Sequence, residues 1–277
     1  MSMQPELVDY LLYEPEPETG ICWIKFNRPD RMNALWGVGG PDGSVFKLLE
    51  YMRCADNDPD MRVIVVTGVG RAFCAGIDVQ SSRTGGADDV DDPDYDRNRF
   101  YHETTPPFLD ISRTIKKPTI AMVNGAAVGM GMDIALHCDI RIGCEYSRFL
   151  TYQSVGQIPE NGALYMLPRL MGLGRALQFL YTGELRAEEA YRTGVLNNLV
   201  TAENLEAETR ALCAQMVKLP PMVQWIGKRI MRAAVDSSME TTMVMTSNAS
   251  GILQRSDDAK EARRAFAEKR PPEFKGR

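Results

Sequence analysis

Residues 119–139 read TIAMVNGAAVGMGMDIALHCD. Ile120, Ala121, Met122 and Val123 form an apolar run of strand length. The run breaks at Asn124-Gly125 and passes through small residues, with glycines at 125, 129 and 131. It resumes as an apolar helical pattern at Met132, Ile134 and Ala135, with Asp133 one turn inside. A strand that turns through glycines into a helix leaves backbone N–H groups facing open space. The first four N–H groups of a helix have no internal partner and sit at the positive end of its dipole. Such a turn suits an anion, or an oxygen that becomes one during a reaction. The plainer reading is a compact glycine-rich βα turn, and this stretch alone does not choose between the two.

A second turn of the same kind lies upstream. Arg62–Thr67 (RVIVVT) has the near-continuous β-branched character of a buried parallel strand, and GVGRAFCAGIDV follows it. If CAGID at 74–78 and AVGMGMD at 127–133 meet at one cleft, the N–H groups of Ile77 and Met130 aim at one carbonyl oxygen. One preorganised donor of this type is worth about 3 kcal/mol to an oxyanionic transition state.

The bulk numbers narrow the classes. The chain has 277 residues, 44% hydrophobic and 25% charged, an ordinary globular profile within reach of one α/β unit plus a helical extension. A net charge of -5 argues against nucleic acid as the main partner. The cysteines at 22, 54, 74, 138, 144 and 213 are scattered without a CxxC pair, which favours a reducing cytoplasm over a zinc ribbon or disulfide frame. MSMQPELVDY lacks the apolar core of a signal peptide, and no apolar run approaches the roughly 20 residues of a membrane span.

Along the chain, Ile21–Phe26 reads as a strand, and Ser44 as the N-cap of a helix through VFKLLEYMRCA. Residues 81–99 are acidic, rich in Gly and Asp, and read as a mobile loop. A helix is expected around Pro107–Ile115, short strands at Asp139–Gly143 and Phe149–Thr151, and a helix at 163–172 that Pro168 kinks or ends. Leu196–Val200 is a short segment of open assignment. Helical patterns fill 175–235 and everything after Ser237, the last with Ala259, Ala262 and Phe266 inward. The expected organisation is an α/β core over 1–200 and a helical part over 201–277.

The segments NRPDRMNAL, RAFCAGIDV, KKPTIAMVNGAAVGMGMDIALHCDIRI, the IP–NG turn before LPRLMGLGRA, the TGE–AEEA–GVLNNLV region and the terminal AFAEKRPPEFKGR carry a resemblance. Their order and spacing resemble the crotonase (enoyl-CoA hydratase/isomerase) family from about residue 19 to the end. The resemblance implies a ββα spiral core with a C-terminal helical trimerisation region, assembled as a homotrimer or a dimer of trimers. It implies an acyl-CoA thioester as ligand, its carbonyl held by the N–H groups of Ile77 and Met130. Coenzyme A is then part of the substrate, with no separate cofactor and no metal. For the CoA portion it implies Arg31 and Lys269 at the phosphates, Phe266 near the adenine, and Ala72, Phe73, Ala75 and Asp78 along the handle. The alternative for each basic residue is plain solvation.

The departures from the family pattern bear on the reaction. The hydratase pattern has one glutamate on the helix of the central turn and a second on the next strand, seven residues before the Pro of the IP turn. Here those positions hold Asp133 and Tyr152. Two-carboxylate hydration, one activating water and one supplying the proton, is therefore in doubt. Glu160 follows Pro159, where the dienoyl-CoA isomerase branch resembles it with an aspartate, and that branch also has an aspartate at the position of Asp133. The resemblance thus implies double-bond isomerisation or hydration, with retro-Claisen hydrolysis and a silent acyl-CoA binder as alternatives. Each side chain also has a structural reading: Asp133 bonding a turn amide, Glu160 favoured at a helix N-terminus, Tyr152 a core aromatic, His137 a packing residue. His102 follows the acidic loop and could line an acyl pocket.

Overall fold

The computed structural model describes residues 5–37, 42–78, 106–152 and 156–277. The 81–99 stretch and His102 lie outside the described residues. Among the described residues ten strands follow one another: β1 (Leu11–Glu16), β2 (Ile21–Phe26), β3 (Val63–Gly68), β4 (Ala72–Cys74), β5 (Thr119–Val123), β6 (Ala126–Val128), β7 (Ile140–Cys144), β8 (Arg148–Leu150), β9 (Glu184–Arg186) and β10 (Asn198–Val200). They form two sheets, one in the order β1-β2-β3-β5-β7-β10 and one in the order β4-β6-β8-β9. The β1–β2 hairpin and the β8–β9 pair are antiparallel, and every other pairing is parallel.

The helices are α1 (Ser44–Asn57), α2 over 106–113, α3 (Met130–His137), α4 (Ala163–Met171), α5 (Leu173–Thr182), α6 (Ala187–Arg192), α7 (Leu205–Val217), α8 (Pro221–Ala234), α9 (Met239–Leu253) and α10 (Asp257–Glu268). The pairs β3–β4, β5–β6 and β7–β8 each put one strand in the large sheet and the next in the small one, and a helix follows each pair. The chain therefore advances as a spiral of ββα turns.

Burial follows the two-residue period of a strand. On β3, Ile64 and Val66 face a core shared with Leu48 and Met52 of α1 and Met132 of α3. Val63 and Val65 face the other way, into a cluster closed by Leu205 and Cys213 of α7. With both faces covered, the sheet reads as the continuous apolar run expected of parallel strands.

Side chains staple the corners between the sheets. Asn124, between β5 and β6, donates from Nδ2 to the carbonyls of Gly68 (2.9 Å) and Gly70 (2.8 Å) in the preceding corner. Its Oδ1 accepts from the Gly68 N–H at 3.3 Å. Asn33 donates to Ala72 O at 2.8 Å, and Ser147 donates to Val123 O at 2.5 Å. Gly125 has no room for a side chain, because a Cβ would run into the Arg71 carbonyl.

After Val200 the regular structure of the described chain is helical, ending with α10 at Glu268. α8 is tied to the core through Asp139, which receives Lys228 Nζ at 2.7 Å and Arg232 Nη2 at 2.6 Å. Burial alone would raise the Asp139 pKa, but these two cations hold it below the usual carboxylate range. The outer face of α8 and α9 leaves Met231, Met239, Met243, Val244 and Ile252 exposed. Among the described residues no helix is long and apolar enough to cross a membrane.

The structure corrects several expectations. Ser44 is the first residue of α1 and Gly43 caps it, because the Ser44 hydroxyl is bonded to Trp36 N and O at 2.7 and 2.9 Å. Phe266 is 88% exposed, while Ala265 is the buried residue of that turn. Pro168 lies inside α4, three residues before its end. Strands β1, β4, β6 and β9 were not expected, and β9 interrupts the helical stretch expected over 175–235. We expect Asn124→Ala to cost about 1–2 kcal/mol in urea unfolding, because it strands the part-buried N–H and carbonyl of Gly68 at the corner; an unchanged midpoint and slope would contradict this account of the corners.

Candidate active site

Strands β4, β6 and β8 are parallel neighbours, with Cys74 opposite Ala127 and Val128 opposite Leu150. Parallel strands finish at the same sheet edge, which is where open α/β sheets place their ligands. Their continuations therefore arrive together: Ala75–Ile77 after β4, Gly129–Met130 after β6, and Thr151–Tyr152 after β8. The approach is close. Gly76, at φ 79°, has no space for a Cβ, which would stand 2.6 Å from the Val128 carbonyl.

An open cleft at this edge is lined by Ile77, Gly129, Met130, Asp133, Tyr152 and the 157–161 segment, including Glu160. Ile77 bridges to Leu35 in parallel fashion through its neighbours: Leu35 N–H donates to Gly76 O at 2.7 Å and Asp78 N–H donates to Leu35 O at 3.3 Å. The N–H of Ile77 itself consequently points away from Leu35. Met130 is the first residue of α3, and no side chain caps that helix start. Gly129 precedes it at φ 51°, a conformation glycine adopts without strain.

Asp133 lies one turn into α3 and is 1% exposed. Its Oδ1 accepts the Ala163 N–H at 3.0 Å, so it supplies from outside the cap that the start of α4 lacks. Burial pushes its pKa up to about 7, and the charge of Glu160 adds to the rise, against the pull of hydrogen bonds from Ala163 and Asn161. Glu160 is exposed. The two carboxyl groups are thus near each other in different surroundings, one dry and one wet.

Tyr152 lies over both glycine turns. A Cβ at Gly129 would run into its ring, and a Cβ at Gly76 would come within 3.1 Å of it. Its hydroxyl donates to the Ala75 carbonyl, and burial raises its pKa. It therefore braces the turn that carries Ile77.

The residues expected at the coenzyme A handle are not among those lining the cleft. Arg31 is exposed in a 3-10 turn, Pro29–Arg31. Asp78 is buried and pairs with Arg28 at 2.7 Å. Ala72 and Phe73 are fully buried in β4. The backbone of Ala75 is in use on both sides, with N–H to Met32 O at 3.0 Å and C=O taken by Tyr152. Phe266 and Lys269 stand exposed at the end of α10.

Asn161 carries no functional signal in the sequence, and His137 reads there as a packing residue. Asn161 is 4% exposed and lines the cleft. His137 is 1% exposed, four residues after Asp133 on the same helix face, with Nε2 2.8 Å from Asn161 O. The four-residue spacing was the available signal.

The raised pKa of Asp133 has a stability consequence with a definite sign. Between about pH 4 and about pH 7 the folded chain holds a proton that the unfolded chain has lost. Stability from this group is fully present below its unfolded pKa and is lost as pH rises through about 7. Asp133→Asn removes the titration and keeps an acceptor for Ala163. We expect the variant to gain on the parent protein by about 4 kcal/mol between acidic and mildly alkaline urea melts; a gap independent of pH would contradict the raised pKa.

Comparisons with known proteins follow the same outline. A family profile described as enoyl-CoA hydratase/isomerase matches residues 16–277. The chain is 29% identical to 1,2-epoxyphenylacetyl-CoA isomerase of Escherichia coli (strain K12) over 94% of its length and 97% of that protein. It is 31% identical to (E)-benzylidenesuccinyl-CoA hydratase of Thauera aromatica over 94% of its length and 98% of that protein. Among solved structures, an enoyl-CoA hydratase/isomerase from Cupriavidus metallidurans CH34 superposes with a TM-score of 0.84 at 28% identity, covering 98% of each chain. The mixed α/β spiral is the crotonase fold, and the chain belongs to the enoyl-CoA hydratase/isomerase family.

Proposed function

We propose that the chain is an acyl-CoA isomerase that moves a proton along a conjugated acyl group. The observation that carries the reading is the shared cleft: the turns of Ile77 and Met130 open onto it beside Asp133 and Glu160. The relatives act, by name, on acyl-CoA esters, and one of them is an isomerase.

The thioester carbonyl sits between the N–H groups of Ile77 and Met130. The Glu160 carboxylate takes a proton from a carbon next to the conjugated system. The electron pair of that C–H bond forms a double bond to the thioester carbon while the carbonyl π pair moves onto the oxygen, giving an extended enolate, conjugated with the diene, that the two N–H groups stabilise. The pair then returns to the far carbon, which takes a proton from the Asp133 carboxylic acid. A carboxyl group titrating at about 7 is well matched to that donation. Proton exchange with solvent resets both groups. Tyr152 stands where a second hydratase glutamate would be, and its hydroxyl is committed to Ala75.

Hydration of an unusual enoyl ester is the second reading, supported by the hydratase among the relatives. Mass spectrometry of products from a panel of acyl-CoA esters separates the two. Isomerisation leaves the mass unchanged, and a gain of about 18 daltons favours hydration. We expect crotonyl-CoA hydration to be slower than in a two-glutamate enzyme by at least about 100-fold. A 3,5-dienoyl-CoA should gain the absorbance of a 2,4-conjugated product, and Glu160→Gln should lower that rate by about 100- to 10,000-fold. Full activity in that variant would remove Glu160 from the mechanism.

We also propose that copies associate through the exposed apolar face of α8 and α9, where Met231, Met239, Met243, Val244 and Ile252 lie open in the single chain. Sedimentation should give a trimer or a multiple of three, and Met239→Glu with Met243→Glu should shift it toward monomer. A monomer at micromolar concentration would contradict this.

A further inference from the structure

Helix α3 grips the 159–163 turn at two points one helical turn apart. Asp133 Oδ1 takes the Ala163 N–H at 3.0 Å, and His137 Nε2 lies 2.8 Å from Asn161 O. A carbonyl oxygen only accepts, so Nε2 carries the proton and Nδ1 is bare. Nδ1 is buried and has no partner among the described residues. Burial holds the imidazole pKa down to about 4, so the ring is neutral at neutral pH and this tautomer persists.

An unbonded ring nitrogen in a closed interior is unfavourable, and an apolar side chain would fill the same space without it. The histidine's one hydrogen bond goes to the residue after Glu160. The surroundings are shaped to that bond. Gly162, at φ 112°, leaves room for the ring, since a Cβ there would stand 2.9 Å from Nε2. Arg232 of α8 donates to the His137 carbonyl at 3.1 Å and so fixes the end of α3. The Glu160 side chain is exposed, so its own burial does not place it.

We propose that His137 is a positioning residue, whose Nε2–H bond to the Asn161 carbonyl fixes the peptide that follows Glu160 and thereby sets where that carboxylate stands over the cleft. The proposal rests on the reading of Glu160 as the base. A side chain acting this way governs the proton-transfer rate and leaves acyl-CoA affinity alone. Displacing a catalytic group by about 1 Å is enough to slow a reaction about 100-fold.

The test uses two amide replacements. A glutamine amide nitrogen reaches the position of Nε2, whereas an asparagine amide falls short of it. With a 3,5-dienoyl-CoA, His137→Asn should lower kcat about 10- to 100-fold with KM within about twofold, and His137→Gln should stay within about threefold of the parent. Added to Glu160→Gln, His137→Asn should cause no further fall in the residual rate, because the two act through one carboxylate. Undiminished kcat in His137→Asn, an equal loss in His137→Gln, or losses that multiply in the double variant would each overturn the proposal. Full activity in Glu160→Gln alone would overturn the base assignment, an outcome distinct from those three.

Discussion

Parallel pairing is directional, and the three short strands β4, β6 and β8 depend on it. Because they run the same way, whatever follows each of them emerges at one edge of the small sheet. The segments are far apart in sequence, yet Ile77, Met130 and Tyr152 line one cleft for this reason. The corner staples from Asn33, Asn124 and Ser147 hold successive turns of the spiral in register, so the edge is set by hydrogen bonds made on the opposite side of the strands. The glycines at 76 and 129 then allow an approach that side chains would block.

Upon that edge the two carboxyl groups take opposite environments. Asp133 is enclosed by α3 and the start of α4, and loss of water raises its pKa. Glu160 opens to solvent at the lip of the cleft. Two carboxyl groups in such different surroundings are suited to dividing acid and base work, which is the division proposed for them. Asp133 serves the fold as well, since its oxygen is the acceptor that ends the orphaned N–H of Ala163. In the proposed reaction, one side chain links the packing of α4 to the proton transfer.

Much of this was legible in the sequence. Strand β3 announced itself by a near-continuous β-branched run, ICWIKF read as the strand β2, and the glycine breaks at 125, 129 and 131 marked the turn into α3. Asp133, Tyr152 and Glu160 were singled out because they stand at the positions that the family resemblance implies, counted from that turn and from Pro159. Strands β4 and β6 were not legible, because three residues of Ala, Phe, Cys or Val show no period; they exist through their neighbours. The bond from His137 to Asn161 spans 24 residues, and the Arg28–Asp78 pair spans 50, distances over which local pattern carries no information. Phe266 was misplaced for a related reason: a helix shows an apolar side in sequence, but only the packing decides which residue meets the core.

The most direct measurement is a crystal structure of Glu160→Gln with a dienoyl-CoA thioester bound. The thioester oxygen should lie within about 2.7–3.1 Å of both the Ile77 and Met130 nitrogens, with residue 160 over the neighbouring carbon. An oxygen bound by other donors, or acyl carbons out of reach of residue 160, would contradict the account.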